Sequence, residues 1–168
     1  MRSLQRLEAR HAAALLRFEL ENRAYFARLV PDRGDAYFAD FRARHVALLA
    51  EQASGLCHFH VMVDDDGEVL GRFNLVDVAA GGAELGFRVA ERVAGQGIAK
   101  AGVREICELA RERYGLQRLF ASAALDNPGS LAVLRRTGFT ALGPVPLSDR
   151  PRRSRGVAAS LPPDIIEQ

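Results

Sequence analysis

The stretch Glu84–Ala110, ELGFRVAERVAGQGIAKAGVREICELA, most constrains what this chain can become. It opens with Leu85, Phe87 and Val89 alternating with Glu84, Gly86 and Arg88, the two-residue period of a half-buried strand. A glycine-rich turn follows. From Ile98 the apolar residues Ala99, Val103, Ile106 and Ala110 fall at helical spacing, so the order is strand, turn with Arg92-x-x-Gly95-x-Gly97, helix. A helix beginning at Gly95–Ala99 presents unpaired N–H groups and the positive end of its dipole to whatever lies above it. Glycines at 95 and 97 admit backbone conformations closed to residues with a Cβ and let a phosphate approach the amides. By themselves they could equally form only a tight turn.

At 168 residues the chain is expected to form one domain with its own core. A net charge of +2 is too small to argue for nucleic acid. No apolar run has the length of a membrane span or the form of a signal peptide, which points to a cytoplasmic protein. Cys57 and Cys107 lack the spacing of a metal knuckle or redox pair and are read as reduced structural thiols.

Leu4–Leu29 is predicted as a helix with Leu4, Leu7, His11, Leu15, Phe18, Asn22 and Phe26 near one stripe and arginines and glutamates elsewhere. Ala36–Ala53 is a second, carrying Tyr37, Phe41, His45, Leu48 and Leu49 on one side, after the loop Val30–Asp35. Phe59–Val63 and Val69–Val78 form a hairpin over Asp64-Asp65-Asp66-Gly67, and Ala79–Gly82 turns the chain into the Glu84 strand, giving three antiparallel strands. The aspartates lack calcium-loop spacing, and His58 and His60 are read as structural. Arg118–Leu125 follows as a buried strand, Ser130–Thr137 as a helix stopped by Gly138, and Phe139–Leu142 as a further strand. Residues 143–168 are proline-rich and read as irregular, with only Val157–Leu161 suggesting a strand. The basic run Arg150–Arg155 is either solvated or a phosphate clamp.

A P-loop needs Lys-Ser or Lys-Thr after its second glycine, where this chain has Ile98-Ala99. A dinucleotide turn needs a third glycine where Lys100 stands, and Asp126 comes about 30 residues on instead of about 20. Arg92-x-x-Gly95-x-Gly97-Ile98-Ala99 after Gly86-Phe87-Arg88-Val89 resembles instead the acyl-CoA pyrophosphate loop of the GNAT superfamily of N-acetyltransferases. The resemblance continues through Asn127-Pro128-Gly129-Ser130 and Gly138-Phe139, as far as Leu142. Asn-x-x-Ser, with Asn22-Arg23 in the first helix, is most similar to the RimJ/RimL branch that acetylates ribosomal-protein N-termini.

The resemblance implies a single α/β domain: substrate-side helices over 1–53, a mixed, mostly antiparallel sheet over 56–142 splayed at the acyl-CoA cleft and flanked by helices, and the irregular segment 143–168. It implies acetyl-CoA as cosubstrate and no metal. The backbone of Phe87 and Val89 would hold the acetyl and pantetheine amides, and the amides of Arg92, Gly95, Gln96, Gly97, Ile98 and Ala99 the pyrophosphate. Asn127 would bond the pantetheine arm. Glu84 would act as base or be a surface glutamate at a strand start, with His45 in reserve. Many family members place a tyrosine where Leu134 stands, so Ser130 becomes the hydroxyl nearest the thiolate, unless it only caps the helix at Leu131. The expected reaction is direct attack, in a ternary complex, by a peptide or protein α-amine, for example a ribosomal-protein N-terminus. A small-molecule amine and a non-catalytic acyl-CoA-binding module are the alternatives. No nucleic-acid or membrane partner is expected, and the protein would be a monomer or homodimer.

Overall fold

The computed structural model describes residues 1–124, 127–144 and 154–160. Its elements run β1 (Ser3–Arg6), α1 (Ala12–Glu21), α2 (Arg23–Ala27), α3 (Asp35–Ala39), α4 (Phe41–Ala53), β2 (His58–Val63), β3 (Val69–Ala79), β4 (Gly82–Val89), α5 (Ile98–Glu112), β5 (Arg118–Ala124), α6 (Pro128–Arg136), β6 (Thr140–Pro144) and β7 (Ser154–Ser160). The strands form one sheet in the order β1-β2-β3-β4-β5-β7-β6, with β4 and β5 parallel and the other neighbours antiparallel. Single-domain α/β architecture with a mixed, mostly antiparallel sheet is thus as expected.

Both faces of β1–β4 are covered. On one, Phe73, Leu75, Leu85 and Leu119 pack against Val103 and Ile106 of α5. The approach is closest at Gly102, where an added Cβ would run into the Phe73 ring. On the other, Phe59 and Val61 of β2 meet Leu15 and Phe18 of α1, Phe26 of α2 and Phe41 of α4. The strand alternation thus feeds two cores, as a sheet covered on both sides requires.

Two expectations for the chain ends change. The first three residues of the expected Leu4–Leu29 helix are strand: β1 pairs with β2 from Ser3↔Val63 to Arg6↔His60, and helix begins only beyond Glu8. Four residues cannot distinguish a period of 2 from one of 3.6, and the open edge of β2 recruits them. The segment read as irregular contributes β7, which lies between β5 and β6 and is paired along its whole length with β5. Its start at Ser154 precedes the suggested Val157, and Leu161 lies outside the described residues, as do Leu125, Asp126 and Arg150–Arg153.

Smaller differences follow local chemistry. The second helix is broken at Asp40 into α3 and α4. In the hairpin turn Asp64 Oδ1 accepts from the N–H groups of Asp66 and Glu68, so one carboxylate closes the turn. Both cysteines are free.

The sheet opens at one place. Parallel pairing of β4 and β5 covers only Gly82–Glu84 against Arg118–Phe120. Beyond it β4 stays with β3 and β5 with β7, so Leu85–Val89 keeps an edge outside the ladder.

Candidate functional site

A cleft of ≈ 510 Å³ lies beside that open edge. Phe87, Arg88 and Val89 of β4 form one wall. The turn after β4 supplies Val93, Ala94, Gly95 and Gly97, and the first turn of α5 supplies Ile98, Ala99 and Lys100. Asn127, Gly129, Ser130, Ala132, Val133 and Arg136 close the α6 side. Tyr25 and Phe26 of α2, with Leu29 and Val30 after it, cover the end nearest the N-terminal helices.

The turn has the geometry of an anion site. Gly95 and Gly97 have φ of 76° and 79°, the left-handed region, and Gly97 caps α5 with no side chain bonded to the helix end. The first N–H groups of α5 are therefore left for a ligand. An added Cβ at Gly97 would meet nothing within 4 Å, so the glycine answers the backbone conformation and the approach of a ligand, not crowding.

Asn127, not Ser130, caps α6. Its Oδ1 accepts from the Ser130 N–H at 3.2 Å, and Pro128 takes the first helical position. Ser130, one turn in, lines the cleft, as does Asn127.

The remaining candidates are placed differently. Arg92 and Gln96 do not line the cleft; Arg92 reaches Asp64 at 3.9 Å, and Gln96 Nε2 donates to the Arg92 carbonyl. Glu84 is half-buried on the face of β4 opposite Leu85, at the last β4–β5 pair, where the Ser122 hydroxyl lies 3.5 Å from its Oε1. It too is outside the cleft lining. His45 is buried in α4 with Nε2 3.0 Å from the Glu8 carbonyl, a tie between helix and chain start that withdraws it as a reserve base.

Sequence reasoning missed three features. Lys100 and Arg136 add cationic side chains to the cleft. Asn22 is a clamp: its Oδ1 accepts from the Glu91 N–H at 2.9 Å and its Nδ2 donates to the Phe18 carbonyl, tying the end of α1 to the start of the glycine turn. Its place on the apolar stripe of the first helix was legible, its partner was not. Third, Glu19 is 1 % exposed and holds Arg72 at 2.7 Å and Arg88 at 3.2 Å. Burial raises the Glu19 pKa, but Arg72, Arg88 and Arg33 outweigh it and hold the carboxyl below its ordinary range. Burial depresses Arg88, which shares Glu19 with two other guanidiniums, while Glu19 more than offsets the burial of Arg72.

Among the described residues there is no group of three or more His, Cys, Asp or Glu side chains able to hold a metal ion, and no helix long and apolar enough to cross a membrane.

The fold is shared with solved acetyltransferases. The ribosomal-protein-S5-alanine acetyltransferase of Vibrio fischeri superposes with a TM-score of 0.86 at 18% identity, over 95% of this chain and 92% of that one. Mycobacterium smegmatis RimJ, in complex with CoA-disulfide, gives 0.84 at 24% identity over 95% and 81%. The spermidine N-acetyltransferase of Vibrio cholerae, in complex with CoA and spermine, gives 0.76 at 15% identity over 95% of each chain. No curated protein matches the chain in sequence. The model of the acetyltransferase (GNAT) domain matches residues 3–140, from β1 to the start of β6. With that match laid over a splayed sheet and an uncapped helix end, the chain belongs to the GNAT acetyltransferase family and is an acyl-CoA-dependent N-acetyltransferase with acetyl-CoA as its cosubstrate.

Proposed function

We propose that the acceptor is the α-amine of a peptide or protein, which attacks acetyl-CoA directly in a ternary complex. The observation that carries this reading is the chemistry of the cleft wall: among the described residues it contains no carboxylate and no imidazole, while Arg88, Lys100 and Arg136 are cationic. An α-amine, with a pKa of about 7.7–8.0, is partly neutral at pH 7 and needs only a weak or water-linked base. A lysine-like or polyamine nitrogen near 10.4 would need a strong base, and a polyamine would meet like charge.

The unpaired edge of β4 at Phe87 and Val89 is suited to the amides of the acetyl-pantetheine arm, much as a strand edge accepts another chain. The N–H groups at Gly95, Gly97, Ile98 and Ala99 take the pyrophosphate, with Lys100 and Arg136 adding charge; Arg92 and Gln96 stand outside the cleft wall, and the Gln96 N–H donates to the Val93 carbonyl. With its Oδ1 engaged in the cap, Asn127 offers its Nδ2 donors to a pantetheine carbonyl. Ser130 supplies a proton to the departing thiolate, and Glu84, at the point where the strands part, draws the amine proton through water. Attack forms the amide C–N bond and breaks the thioester C–S bond. One proton leaves the amine and one reaches sulfur.

Turnover of a peptide panel with acetyl-CoA, followed by thiol release, tests the acceptor. A reactive polyamine beside unreactive peptides would overturn the α-amine. Glu84→Gln should slow peptide turnover about a hundredfold at pH 6.5. The deficit should narrow as pH rises through about 8, where solvent supplies the neutral amine. A deficit constant up to pH 9 would remove Glu84 as the base.

A further inference from the structure

The cleft shares Phe26, Val30 and Arg88 with a second, smaller hollow of ≈ 10 Å³, room for one water-sized group, whose wall includes Glu19, Arg23, Asp32 and Arg33. The charges around it do not cancel. Arg23 is held by Asp32 and Asp35, both at 2.8 Å, and Glu19 by Arg72 at 2.7 Å and Arg88 at 3.2 Å. Arg33 stacks over Tyr37 and reaches Glu19 only at 3.6 Å, beyond hydrogen-bond range. Arg23, Arg33, Arg72 and Arg88 thus stand against Glu19, Asp32 and Asp35, one positive charge in surplus. Three arginines line the hollow and keep some side-chain exposure, Arg23 at 33%, Arg33 at 32% and Arg88 at 22%; Arg23 is already held by two carboxylates, so the surplus falls on Arg33 and Arg88. The mutual repulsion is felt in Arg88, whose pKa is depressed first by burial and then by Arg33 and Arg72.

We propose that Arg33 and Arg88 form an anion subsite for the acceptor, so that the preferred peptide carries a carboxylate, an aspartate or glutamate side chain in its first few residues. The inference rests on the α-amine reading and narrows it. Arg88 directly follows Phe87, where the acetyl arm is placed, so a carboxylate on Arg88 lies within a residue or two of the attacking amine. The pyrophosphate is accounted for separately by the turn and by Lys100 and Arg136, which line the cleft but not the hollow. A guanidinium fork matches a carboxylate in shape as well as charge.

The test uses the full chain, saturating acetyl-CoA and peptides that differ only by Asp, Asn or Lys at the second or third position, beside free glutamate and spermidine. The Asp peptide should show a KM about tenfold below its Asn counterpart, the Lys peptide the highest, and the Asp advantage should shrink as NaCl is added. Arg33→Gln, on a partly exposed loop residue, should erase the Asp-over-Asn ratio, and Arg33→Glu should reverse the order of Asp and Lys, with melting curves confirming a folded domain. Equal KM values for Asp and Asn peptides in the unaltered protein would overturn the subsite and leave the α-amine reading standing. Acetylation of glutamate with no peptide turned over would retain the subsite and discard the peptide. Acetylation of spermidine alone would discard both.

Discussion

The two faces of β3 and β4 are packed in opposite ways. Toward α5 the contact is hydrocarbon, with Phe73, Leu75, Val103, Ile106 and Leu119 all at 0 % exposure. Toward α1 the same strands present Arg72 and Arg88, which meet Glu19 within an otherwise apolar cluster. Close-packed hydrocarbon holds an element in one position, and on this face that element is α5, whose first turn lines the cleft beside the glycine turn. A buried ion pair gains little net stability because desolvation offsets the attraction. The charged face adjoins the end of the cleft where the acceptor is proposed to bind. The difference teaches that the α5 side of the cleft is organised for rigidity and the α1 side retains charge at a cost in stability.

Breaking the charged face should have the largest effect. Glu19→Ala leaves Arg72 buried without its carboxylate and should destabilise the domain by about 3–5 kcal/mol in chemical denaturation. A loss below about 1 kcal/mol would mean that water replaces the carboxylate and the face is not truly dry.

Acid should then separate the two faces. His60, on the α5 side of β2, is 2 % exposed; its Nε2 lies 2.8 Å from the Tyr114 hydroxyl and its Nδ1 lacks a partner among the described residues. Burial, with Arg6 and His58 adding to it, lowers its pKa to about 4 from an ordinary 6.5. Between those values the unfolded chain takes up a proton that the native state refuses, so stability is complete above pH 6.5 and falls progressively toward pH 4. The loss should reach about 3 kcal/mol. His60→Gln should flatten that slope in melts at pH 7, 6 and 5. Glu19 acts in a lower window: its depressed carboxyl contributes stability present above its ordinary pKa of 4.5 and lost as pH falls through the lower folded value. A slope unchanged in His60→Gln would assign the pH 4–6.5 loss to other groups.

The hydrocarbon face is probed most finely at Gly102. A single methyl there collides with Phe73, so Gly102→Ala should cost about 1–3 kcal/mol despite the better helix propensity of alanine. Phe73→Leu in the same chain should recover part of it, because the smaller side chain makes room. A gain in Tm from Gly102→Ala alone would show that α5 can shift away from β3.

The legible part of the molecule is the local part. Strand period, glycine turn and helical period between Glu84 and Ala110 each declare themselves within a few residues, and β4, the turn and α5 follow in that order. The same holds for Asn127 and Ser130, whose spacing sets both on the first turn of α6 beside the cleft. Glu19 was not legible, since on its helix it reads as one of several glutamates off the apolar stripe. Only Arg72 and Arg88, more than fifty residues away along the chain, convert it into a buried counter-ion.

By itself the sequence determined the glycine turn, the three-strand meander before it and the family, because hydrophobic period and glycine placement act over a few residues. Tertiary structure decided where β1 and β7 go, which side chains face the cleft, and that Glu84 stands at the parting of β4 and β5, outside its wall. Those are questions of pairing between distant segments. A short strand has no stable identity until a neighbour supplies its hydrogen bonds, and a charged side chain has no settled burial until its counter-charge arrives.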